Sequence, residues 1–161
     1  MKKLMIAVDD TTGSLDAVSY VGRHFGELRG LEVTLFHVLP GLPSRFWDDG
    51  HILSAEEKAA RETVVAKWQD NQRPMMEEVF RKAAAVLIKG GIGPDRVKTK
   101  SALSEHASVA EAILEEARAG GYDLLVVGRV CRHSPARHAL LGDNTTTIIH
   151  HGAGVPVCVV E

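Results

Sequence analysis

The segment Asp123 to Arg129 (DLLVVGR) most constrains the fold, because it sets an unbroken apolar run between an acid and a glycine. A strand with one wet face would alternate apolar and polar residues. A run that is apolar on both sides belongs to a strand covered on both faces, as in a parallel sheet flanked by helices. Lys3 to Val8, Leu31 to Leu39 (LEVTLFHVL) and Pro156 to Val160 (PVCVV) read the same way, and Arg96 to Leu103 is a further strand.

Helical patterns fill the intervals. Thr11, Thr12 and Ser14 can each cap a helix carrying Val18, Val21, Phe25 and Leu28 at helical spacing, with Gly30 as its expected end. After a Pro/Gly-rich loop from Pro40 to Leu53, Ser54 and Glu57 form a capping-box signature. The long stripe that follows runs through Val64, Trp68, Met76, Val79, Phe80 and Leu87, and Pro74 is expected to kink or break it. His106 to Ala119 predicts a third helix, ended by Gly120-Gly121. A loop from Val130 to Leu141 leads to a short helix near Asp143 to His151.

The order is therefore β-α-β-α-β-α-β-α-β. It predicts a three-layer α/β/α fold with a five-stranded parallel, doubly wound sheet and right-handed crossovers. With 161 residues, the chain reads as one domain over 1–161. In such sheets ligands bind beyond the carboxyl ends of the strands, at a topological switch point. The loops to watch start at Asp9, Leu39, Leu103 and Gly128.

Nineteen basic and 21 acidic residues leave a net charge of −2, which supplies no general attraction to nucleic acid or anionic membrane. Lys2-Lys3 precede too short an apolar run for a signal peptide, so no targeting segment is expected. Cys131 and Cys158 make no disulfide framework, which fits a reducing cytoplasm.

The segments Ile6-Ala7-Val8-Asp9, Phe36-His37-Val38, Ala110-Glu111-Ala112-Ile113, Tyr122 to Gly128, and Gly154 to Val160 occur in an order and at spacings that resemble the universal stress protein family. The resemblance spans Met1 to Glu161 and is loosest between Pro40 and Gly93. It implies an adenine nucleotide alpha hydrolase-like fold, a stress-response role, and a homodimer paired through the last strand, Val157, Cys158, Val159 and Val160. It also implies ATP, with Mg²⁺, as the possible ligand. Asp9 matches a position near adenine and ribose, Val38 one whose backbone meets the adenine edge, and Thr145 a phosphate-side position.

Nucleotide-binding members of the family carry G-x2-G-x9-G-[ST] before the last helix. There, glycines let backbone N–H groups approach phosphate and the helix N-terminus adds partial positive charge. This chain departs from that pattern. Gly128 fits the first glycine, Cys131 replaces the second, Gly142 falls one residue late, and Asp143 precedes Asn144 where Ser or Thr belongs. A carboxylate there caps the helix and repels phosphate. Against this, Arg129, Arg132, His133, Arg137 and His138 make the loop basic, and arginine can hold phosphate by side chain. The motif is degenerate, so two readings stand: a dimeric interaction protein with weak or absent nucleotide binding and an unknown protein partner, or an ATP-dependent switch.

Other chemistries find less support. Val8-Asp9-Asp10 is similar to the acidic pair of receiver domains, but the third strand ends at Ala102-Leu103-Ser104 without a phosphoacceptor aspartate. Cys131, His133 and His138 lack the spacing of a zinc site, and the adjacent His150-His151 diverge on a helix. His37 reads as a packed or edge histidine. Phe46-Trp47 is a lid, a docking patch or core. No nucleophile elbow, Ser-His-Asp order or carboxylate pair marks a catalytic site.

Overall fold

The computed structural model describes residues 2–39, 54–103, 108–129 and 143–161. Five strands, β1 (Lys3–Ala7), β2 (Glu32–Leu39), β3 (Val97–Leu103), β4 (Leu124–Gly128) and β5 (Val157–Val160), form one sheet in the order β3-β2-β1-β4-β5. Every pairing is parallel. Ile6 lies between Leu35 of β2 and Val126 of β4, so β1 is the central strand. From β1 the chain winds outward through β2 to β3, then crosses back to β4 and β5. The switch point is therefore between β1 and β4.

Four helices cover the faces: α1 (Thr12–Phe25), α2 (Ala55–Lys89), α3 (Val109–Ala119) and α4 (Asp143–His151). Strand alternation divides the core in two. Leu4, Ile6, Leu35 and Val126 turn toward α1 and α2, which contribute Val18, Val21, Val79 and Leu87. Met5, Phe36, Leu125 and Val127 turn toward α3 and α4, which contribute Ile113, Leu114 and Ile148. The unbroken apolar runs are apolar because both of their faces are buried.

Caps set the helix starts. Thr11, extended at φ −85° and ψ 155°, accepts from the Ser14 N–H at the head of α1. Ser54 and Ser108 each form a full capping box, with Glu57 and Glu111. Because Ser108 is extended, α3 starts at Val109 and not at His106. α1 ends at Phe25 with Gly26 as its C-cap, four residues before Gly30. There is a packing reason for a glycine at that position: a Cβ on Gly26 would sit 1.8 Å from the Gly90 carbonyl oxygen, where α1 meets the end of α2. Of the kink or break expected at Pro74, the break does not occur: α2 is continuous through it. Pro74 and Asp70 are both exposed, so water can serve the Asp70 carbonyl that has lost its helical donor. A 3₁₀ turn, Pro94–Arg96, delays β3 to Val97. No helix among the described residues is long and apolar enough to cross a membrane.

Candidate functional site

A cleft opens at the switch point, over the carboxyl ends of β1, β2 and β4. Its apolar lining includes Ala7, Val38, Val127, Ile113 and Ile148, and its polar lining Asp9, Thr11, Ser14, Asn144 and Thr145.

The β1 end is tightly tied. The Val8 N–H donates to the Phe36 carbonyl at 2.8 Å, and the buried His37 Nδ1–H donates to the Val8 carbonyl at 2.8 Å. His37 meets Phe80 of α2 edge-on, with ring centroids 6.2 Å apart, and its buried Nε2 has no hydrogen-bond partner among the described residues. Of the packed and edge readings of His37, the structure shows the packed one. Its bond to the residue before Asp9 was not legible, since His37 lies on β2 and Val8 just past the end of β1.

Asp9 turns its carboxylate back on the chain. Oδ1 accepts from the Thr11 N–H at 2.9 Å and from the Thr11 hydroxyl, while the Asp9 N–H donates to Ser14 Oγ at 2.9 Å. This arrangement caps α1 and still leaves Asp9 lining the cleft. Thr145 is buried on α4, and its hydroxyl donates to the Gly128 carbonyl at 3.5 Å, tying α4 to the β4 end.

Gly128 lines the cleft, but packing already accounts for its lack of a side chain. A Cβ there would lie 1.9 Å from the Gly13 carbonyl oxygen, and one on Gly13 would lie 2.2 Å from the Arg129 carbonyl oxygen. The first turn of α1 is seated directly against the β4 end.

The structure brings Asp9, Val38, Gly128, Asn144 and Thr145 together. Asp143, exposed, is the first residue of α4, and its carbonyl accepts from the Thr147 hydroxyl at 2.9 Å. Arg129 sits apart from the cleft lining: its N–H donates to the Val160 carbonyl at 2.8 Å and its guanidinium pairs with the Glu161 carboxylate. Arg132 and Gly142 lie outside the described residues, as do Cys131, His133, Arg137, His138 and Phe46-Trp47. Among the described residues no three His, Cys, Asp or Glu side chains gather to hold a metal ion. The sequence reading missed Ser14, Val109, Ile113 and Ile148 as cleft residues. Ser14 was read only as a candidate cap, and the helical spacing of Val109 and Ile113 marks core equally well.

The model of the universal stress protein family matches residues 1–161. The chain belongs to that family. No curated protein matches it significantly by sequence. A universal stress protein in complex with cAMP is similar at a TM-score of 0.66 and 16% identity, covering 99% of this chain and 97% of that one. The Archaeoglobus fulgidus universal stress protein in complex with dAMP gives 0.59 and 16%, covering 100% and 98%. One from Lactobacillus plantarum gives 0.60 and 14%, covering 99% and 97%. At such identities these likenesses establish the fold, the doubly wound five-stranded parallel sheet.

Proposed function

We propose that this universal stress protein is a homodimeric stress-response interaction protein of the cytoplasm, pairing through β5, and that its switch-point cleft is an adenine-ligand site with weak affinity for ATP. The contrast between the two sheet edges carries the reading. β3 guards its edge with exposed Lys98 and Lys100, which pair with Glu32 and Glu116. β5 offers Val157, Cys158 and Val159, all only half-buried, with no charge in the strand. An apolar edge strand is a template for pairing, and lysines are the usual guard against it. An isologous two-fold contact through β5 covers that edge in both subunits.

Sedimentation velocity at micromolar protein tests this. The wild type should run as a dimer and Val159→Lys as a folded monomer. A wild type that stays monomeric defeats the proposal.

The second reading is an ATP-dependent switch. It is favoured by the position of the cleft and by the cAMP and dAMP held by two proteins of this fold, with Arg132 as a phosphate ligand. Asp143→Ser combined with Cys131→Gly restores the residue types of the phosphate motif and should tighten Mg-ATP binding in calorimetry. An unchanged affinity means that other groups set the limit.

A further inference from the structure

The charges around the cleft point to a ligand class. Asp9 is the sole Asp, Glu, Lys or Arg among the described residues that line it. Asp10, exposed, follows Asp9 in the chain, and Asp143 stands beside the lining residues Asn144 and Thr145.

Two helix N-termini border the cleft, through Thr11 and Ser14 of α1 and through Asn144 and Thr145 of α4. Helix N-termini are the usual seats for phosphate, and each of these two carries a carboxylate, Asp9 beside the first turn of α1 and Asp143 in the first turn of α4. At α1 the Thr11 hydroxyl accepts from the Ser14 N–H at 3.3 Å and is itself bound to the Asp9 carboxylate. At α4 the first turn carries the carboxylate of Asp143. The backbone approach that Gly128 could offer a phosphate is filled by Gly13. Arg129, the cation next to Gly128, is paired with Glu161. What remains is a lining of Val38, Val127, Ile113 and Ile148 together with hydroxyl, amide and carboxylate groups. That combination suits a flat heterocycle and a neutral sugar.

We propose that the cleft selects uncharged adenine nucleosides over their phosphate esters, with affinity falling as phosphates are added. The proposal rests on the reading of this cleft as an adenine-ligand site.

Calorimetry on the full chain with adenosine, cAMP, AMP and Mg-ATP, each at low and at high salt, tests it. Adenosine should bind tightest and ATP at least tenfold more weakly. Salt screens surface charge, so ATP binding should strengthen as salt rises while adenosine binding stays level. Asp143→Asn should narrow the gap between ATP and adenosine roughly twofold to fivefold, the usual worth of one charge at a helix N-terminus. If ATP binds more tightly than adenosine and weakens with salt, the cations of residues 130–142 dominate; the selectivity proposal is then wrong while the adenine site stands. If no adenine compound binds at millimolar concentration, the adenine-site reading fails and takes this proposal with it.

Discussion

Replacing Gly128 by alanine tests whether this glycine serves the fold or a phosphate. The added Cβ would lie 1.9 Å from the Gly13 carbonyl oxygen, whereas real Cβ atoms essentially never come within 3.0 Å. The β4 end and the first turn of α1 must therefore separate by about 1.1 Å or more. Both colliding groups are main chain, so no flexible side chain can swing away. The Asp9–Thr11–Ser14 network is anchored in that same turn and has to move with it. Overpacking of this kind costs about 1–3 kcal/mol. A domain of this size loses about 2–4 °C of melting temperature per kcal/mol. Thermal unfolding followed by circular dichroism should show Gly128→Ala melting roughly 2–12 °C below wild type, with no ligand present. Gly13→Ala sharpens the test, because its sign is in question. Alanine in a helix is worth up to about 1 kcal/mol over glycine, so without a clash the variant would be stabilised. With a Cβ 2.2 Å from the Arg129 carbonyl oxygen it should be destabilised. Unchanged melting of Gly128→Ala, or a stabilised Gly13→Ala, would refute the packing account and return Gly128 to a role in ligand binding.

Asp123 provides a pH test. Its carboxylate accepts from the Lys2 and Lys3 N–H groups at 2.7 and 3.0 Å, which holds its pKa below the ordinary value of 3.8. A carboxyl with a lowered folded pKa contributes stability above its unfolded pKa and loses it as pH falls through the folded one. Asp123→Asn should therefore be less stable at neutral pH and should lose less stability below about pH 4 in acid-unfolding curves; parallel curves would contradict this. Arg118 links α3 to the end of α4 by donating to the Gly152 carbonyl at 2.7 Å and the His151 carbonyl at 3.4 Å. Arg118→Ala should lower stability by about 1 kcal/mol in denaturant unfolding, and no change would show that water replaces the bond without loss.

The architecture was legible because the strands betray themselves. Runs such as Leu124 to Val127 have no polar alternation, and this requires cover on both faces. Caps were equally plain: Thr11, among the three residues proposed, caps α1, and Ser54 forms its box with Glu57. Errors arose where tertiary contacts override local rules. Gly26, and not Gly30, ends α1, since the approach of Gly90 is invisible in sequence. Pro74 does not break α2 for a different reason: it lies in an exposed stretch where a lost hydrogen bond is cheap.

The site was only partly readable. Asp9, Val38 and Thr145, distant in sequence, all line the cleft. Arg129 was read as part of a basic loop, but its partner, Glu161, is at the far end of the sequence. Gly128 matched a phosphate motif, while the contact that demands a glycine comes from α1. In each case the missing information was a pairing between residues remote in sequence, which neither periodicity nor spacing carries.

The proposed dimer edge is tested most directly by hydrogen exchange of backbone amides, followed by mass spectrometry at several protein concentrations. If β5 pairs with its copy, the amides of Val157 to Val160 gain protection as concentration rises, while those of β3 around Lys98 to Ser101 do not respond. Protection that rises at β3 instead, or at neither edge, would contradict the account.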